Sequence, residues 1–114
     1  MLSQTLLDQV VRTREGVLTQ DAIIDSRFSA AASIVAQGIR SAMAVPLLSK
    51  GELWGVLYLD TRERAGAFTE KDLRLLSGVA AQAAVAIENV ELARRIEQEA
   101  ETRAQLSRFL SPAL

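Results

Sequence analysis

The 114-residue chain contains no cysteine and no histidine. Those two absences remove disulfides, thiol catalysis, Cys/His zinc sites, His-ligated haem and imidazole acid–base chemistry. A cysteine-free chain also fits a cytoplasmic location. Aromatic residues are scarce, at 4%, and the net charge is only −1. So weak a charge gives no electrostatic case for nucleic acid or for an anionic membrane surface as a partner. No uninterrupted apolar run approaches the roughly 20 residues that a membrane-spanning helix needs. The N-terminus lacks the basic-then-apolar order of a signal peptide. There is no phosphate-cradling glycine loop, and no cofactor or metal is expected.

What remains is a foldable chain, 49% hydrophobic and rich in Ala, Leu and Val, of a size for one core. "LSQTLLDQVVRTREG" reads as a helix, with Leu6, Leu7, Val10 and Val11 on one face and Gly16 as its C-terminal stop. Val17 to Thr19 suit a short strand. Residues 21–29 read as loop, and 30–37 as a short helix. The middle predicts a hairpin: apolar runs Ala42–Leu48 and Leu53–Asp60 flank "SKGE", where Gly51 supplies positive φ. Both faces of the second run are apolar, with Leu53, Leu57 and Leu59 on one and Trp54, Val56 and Tyr58 on the other. Both must therefore be covered. Pro46 cannot donate to a ladder, so the first run either bulges or lacks a neighbour on one side there.

Thr69 and Asp72 form a capping-box pattern, and nothing breaks a helix from Thr69 until Pro112. That predicts a helix of about 40 residues, roughly 60 Å long. Its first half is small and apolar, and its second half, 93–108, is mostly charged. Val85, Asn89, Leu92, Ile96, Glu99, Arg103, Leu106 and Leu110 step by four and three alternately. This is a coiled-coil seam, and a homodimer through this helix is expected. Asn89 could set its register. Ser111 and Pro112 then read as the start of another helix.

The order of these elements, with "SAMAVPLL", "GELWGVLYLD" and "FTEKDLRLL", resembles the GAF domain family from about Ser3 to Leu92. The resemblance implies an α/β (α+β) fold: an antiparallel sheet flanked by helices, dimer helices on one side, a small-molecule pocket on the other. Family members usually begin with a helix and two further strands, so 1–92 is expected to be a partial sensor domain, truncated or completed by another chain. "RRIEQEAETRAQLSRFLSPAL" resembles the linker before class III adenylate or guanylate cyclase domains, which makes 93–110 a signalling linker and 111–114 the start of a truncated output domain. Similar linkers precede kinases and transcription activators.

By the same resemblance a pocket would lie near residues 25–41. Arg27, Phe28, Ser33, Arg40 and Ser41 are the candidate ligand residues, with Trp54 and Tyr58 on the pocket floor. Arginine suits an anionic ligand; the alternative is that both arginines are solvated surface charges. The Asn-Lys…Phe…Asp-Glu signature of cyclic-nucleotide-binding members is absent. Bilin attachment and sulfoxide reduction in related domains need cysteine. Asp21, Asp25 and Asp60 are scattered carboxylates without a catalytic motif, so no catalytic residue is assigned.

Overall fold

The computed structural model describes residues 4–28 and 38–110. Ser33, the helix expected over 30–37 and the Ser111–Pro112 start lie outside the described residues. Helix α1 (Gln4–Thr13) leads into β1 (Val17–Thr19), and the hairpin β2 (Ser41–Ser49) and β3 (Glu52–Thr61) precedes the 41-residue helix α2 (Glu70–Leu110). The three strands form one antiparallel sheet in the order β1-β2-β3.

Helix α1 buries Leu6 and Val10, one turn apart, while Val11 is half exposed. The apolar face is thus narrower than the four-residue face expected. The helix stop also differs. Arg14 takes the left-handed conformation, φ 60°, and its N–H bonds the Val10 carbonyl at 2.8 Å. Gly16 is needed instead for room: a Cβ there would sit 3.2 Å from Val45 Cγ1 and 3.4 Å from Leu73 Cδ1. Between β2 and β3 the two central turn residues, Lys50 and Gly51, both have positive φ, at 52° and 80°. That pair of angles matches the right-handed twist of the strands.

Each face of the sheet carries its own core. On one, Leu6, Val10, Val17, Phe28, Ile39 and Ala42 pack with Val56 and Tyr58. On the other, Val45, Leu47, Ala80 and Ala84 pack with Trp54, Leu57, Leu73 and Leu76. Trp54 therefore does not share a face with Val56 and Tyr58, as strict alternation requires. The pairing Leu47↔Gly55 is followed by Leu48↔Leu53, so Trp54 is an extra residue in β3. Such a bulge resets the alternation and turns its side chain to the other face. Pro46 stays in register with Val56, and β1 pairs only with Ala42–Ala44. Of the two options for the proline, the described residues show the missing neighbour on one side.

The capping box forms as expected. Asp72 Oδ2 accepts from Thr69 N–H at 2.9 Å, and Asp72 N–H points back to Thr69 Oγ1 at 3.4 Å. From there α2 lies on the sheet through Ala80, Ala84 and Glu88, spaced by four. By length and composition alone α2 is also apolar enough to cross a membrane, although its apolar residues form no unbroken run of that length. That apolarity is carried largely by alanines, and three residues of the helix are buried against its own domain. Beyond Leu92 every described residue of α2 is exposed, and the molecule extends over 76 Å.

Candidate functional site

Two regions carry the expected sites: the loop beside β1 and the outer face of α2. In the loop, Asp21 and Asp25 organise the backbone. Asp21 Oδ1 accepts from Ile23 N–H at 3.1 Å, and Asp25 Oδ1 from Arg27 N–H at 3.0 Å. These are the local turns that short acidic side chains favour. The Arg27 guanidinium then folds back on Asp25, at 3.1 Å through Nε and 2.7 Å through Nη2, and donates to the Leu18 carbonyl at 2.6 Å. It also lies 4.8 Å from the centre of the Phe28 ring, a cation–π distance. Phe28 is 1% exposed and belongs to the core.

The other candidates are engaged less completely: Arg40 Nε and Trp54 Nε1 are buried with no hydrogen-bond partner among the described residues. Arg40 Nη2 lies 3.8 Å from Asp21 Oδ2. The buried Ser41 hydroxyl donates to the Thr19 carbonyl at 3.1 Å and accepts from Phe68 N–H at 3.4 Å, tying β1 to the crossing before α2. Tyr58 donates to Asp60 at 2.7 Å. Trp54 sits on the α2 side, away from this group. The open cleft that remains, ≈ 470 Å³, is lined by Asp21, Asp25 and Glu70, with Arg27 the one cation among the described residues that line it. Three carboxylates against one guanidinium do not favour an anion. Of the acids expected to be scattered, Asp21 and Asp25 thus line one cleft, and each of Asp21, Asp25 and Asp60 has an internal partner.

The hydrogen bonds from Arg27 hold the Asp25 carboxyl down from 3.8 to about 2. A carboxyl held below its unfolded value stabilises the fold at pH above the ordinary carboxylate range, and that contribution is lost as pH falls from about 4 through 2. Arg27 is half exposed, so the contribution is about 1 kcal/mol rather than the full shift. Arg27→Met keeps the stem over Phe28 and removes the charge. Its stability, followed by urea denaturation, should drop by about 1 kcal/mol at neutral pH and lose this acid limb between about pH 4 and 2.

On α2, the seam residues Val85, Asn89, Leu92, Ile96, Leu106 and Leu110 are all exposed. The exposed stripe starts earlier than the sequence reading placed it: Leu75 and Val79 are 63% and 59% exposed and border an apolar groove with Gly78 and Ala83. The spacing of Leu75 and Gly78 to Val85 follows the same repeat and could have been read from the sequence; Val79 lies beside it. Glu88 was not among the candidates. It is 8% exposed on the sheet-facing row, and Lys50 at the hairpin tip reaches it at 3.6 Å. No local sequence signal links a turn lysine to a helix residue 38 positions on; only the packing of α2 across the sheet does.

The family model for the GAF domain matches residues 1–87. The chain is 27% identical over 94 residues to hybrid signal transduction histidine kinase G of Dictyostelium discoideum, covering 82% of this chain and 3% of that protein. It superposes on the GAF domain region of a Geobacter sulfurreducens protein with 25% identity and a TM-score of 0.61, covering 76% of this chain and 58% of that one. A free methionine-R-sulfoxide reductase from Neisseria meningitidis, in complex with its substrate, aligns with 26% identity and a TM-score of 0.62, over 77% of this chain and 50% of that one. A Synechocystis GAF3 domain in its photoproduct state shares the fold at 22% identity and a TM-score of 0.66, over 84% and 64%. The chain thus spans about half to two thirds of these solved structures. With the family match running over most of the chain and the sheet covered on both faces, this protein belongs to the GAF domain family.

Proposed function

We propose that this GAF domain is the regulatory part of a cytoplasmic signal-transduction protein, and that α2 is its output lever. One observation carries the reading: α2 has two working faces. One rests on the sheet through Ala80, Ala84 and Glu88, and the other exposes an apolar stripe that continues past the domain to Leu110. Ala80 and Ala84 let the helix lie close to the sheet, and a shift of α2 would repack Leu73 and Leu76 against Val45, Leu47 and Trp54. A change at the loop or the hairpin tip would then alter how α2 presents its stripe to a second copy. The Lys50–Glu88 contact is where the hairpin tip meets the helix. Such a relay needs a two-state element biased by binding, not chemistry of its own.

The linker resemblance points to an adenylate or guanylate cyclase as the output. A second reading is supported by the similarity to a hybrid histidine kinase: a dimerisation module, without ligand, of a sensor kinase or a transcription activator. It gains weight from the internal bonding of Arg27, Ser41 and Tyr58, which leaves these groups little to offer a ligand. Thiol-based sulfoxide reduction, the activity of the Neisseria neighbour, has no cysteine to use among these 114 residues.

Light scattering on the purified chain tests the relay surface. A dimer at tens of micromolar is expected, and Ile96→Asp should convert it to a monomer with the domain still folded. A monomeric parent chain would overturn the proposal. A thermal-shift screen with nucleotides and metabolites separates the two readings, since a stabilising compound favours the ligand sensor.

A further inference from the structure

The last residue that α2 buries against its own domain is a carboxylate, Glu88. Glutamate is seldom buried unless a partner offsets the loss of water. Lys50 is its one ion-pair partner among the described residues, at 3.6 Å. A small cavity of ≈ 150 Å³ separates the hairpin tip from α2, and Arg95 is the other cation that lines it. Glu91 holds that arginine at 3.7 Å. Trp54, turned to this face by the bulge, lines the same cavity. Its buried indole N–H is bonded to no group among the described residues, Glu88 included. Compensation of the Glu88 charge therefore falls to Lys50.

The turn itself disfavours a lysine there. Lys50 holds φ 52° at the first central position of a two-residue turn, where asparagine or glycine is preferred and other side chains crowd the backbone. Asparagine would suit the hairpin better, but its short side chain would not reach α2. Beyond Leu92 every described residue of α2 is exposed. A free helical segment of that length is marginal in water, so opening from its end runs back until tertiary contact stops it.

We propose that Lys50 and Glu88 form a latch that sets where α2 leaves the sheet. Its part in signalling rests on the lever reading above; the latch itself does not. With the latch closed, Glu88 lies under the hairpin tip and the free part of α2 starts after Leu92. When Lys50 is drawn away, Glu88 is a buried charge without a partner, which is strongly unfavourable. The carboxylate then turns to water, and the free part starts after Ala84. A group that captures Lys50 thus lengthens the free lever without touching the helix.

Lys50→Asn separates the latch from the turn, because it suits the turn and removes the cation. Hydrogen exchange is followed on the Ile96→Asp background, so that self-association plays no part. Amides over residues 85–92 should exchange about tenfold faster, while those at Ala80 and Ala84 keep their protection. Emission from Trp54, the one tryptophan of the chain, should move to the red. Lys50→Arg, which keeps the charge, should retain the parent exchange. In a Glu88→Gln chain, which needs no cation, Lys50→Asn should add nothing further. Exchange over 85–92 that Lys50→Asn leaves unchanged would overturn the latch. An equal effect of Lys50→Asn with Glu88 and with Gln at 88 would do the same. If the latch passes while Lys50→Asn on the parent chain leaves the dimer's dissociation constant unchanged, the latch stands and the lever reading fails.

Discussion

Replacing Phe28 with alanine should cost about 3–5 kcal/mol of stability, measured by urea denaturation at neutral pH. The ring is fully enclosed and packs in the cluster of Leu6, Val10, Val17 and Ile39. Its removal leaves a large cavity in one of the two thin cores. The Arg27 guanidinium also loses the ring it covers. Domains of this size have only about 5–15 kcal/mol in hand, so the variant should be close to unfolded at moderate temperature. Phe28→Leu retains most of the volume and should cost about 1–2 kcal/mol. A loss below about 1 kcal/mol for the alanine variant would mean that the ring faces an open pocket, as the sequence reading proposed, and not the core.

The second large effect is expected at the helix–sheet contact. Ala84 is 0% exposed between α2 and the sheet, and Ala80 lies one turn before it. Leucine at 84 has no space, so Ala84→Leu should cost about 1–3 kcal/mol by forcing α2 away from Val45 and Leu47. Trp54 packs in the same cluster, so its fluorescence and near-ultraviolet dichroism should change along with stability. Ala81→Leu, one residue away on the exposed side, should stay within about 0.5 kcal/mol of the parent. Equal effects at 81 and 84 would show that α2 does not rest on the sheet through this row.

The hairpin, the capping box at Thr69 and Asp72 and the length of α2 were legible because each is set within a few residues. A tight turn, a helix cap and an unbroken helix pattern all act over such distances. Trp54 was misread because alternation assumes an intact ladder, and the bulge that turns it exists only in the pairing with Leu47 and Leu48. Gly16 was read as a helix stop because glycine is the usual residue for one. Its real constraint is two side chains from distant elements, and Arg14 bears the unfavourable backbone angle instead. Arg27 and Arg40 were read as candidate ligand groups, with solvated surface charges as the alternative. What they touch was invisible, although Asp25 is only two residues from Arg27, because the chain must turn back for the pair to close.

The sequence by itself determined which chemistry is closed to this protein and that a helix of about forty residues leaves the domain with an apolar stripe along it. Composition and local periodicity are enough for both. Which face of that helix the domain keeps, and which it leaves for a partner, was decided only by tertiary structure. Ala80, Ala84 and Glu88 on one side and Leu75, Val85 and Ile96 on the other are all helix-compatible residues at helical spacing. Only the close approach of the sheet, possible where side chains are small, selects the alanine row for burial and leaves the larger residues outside.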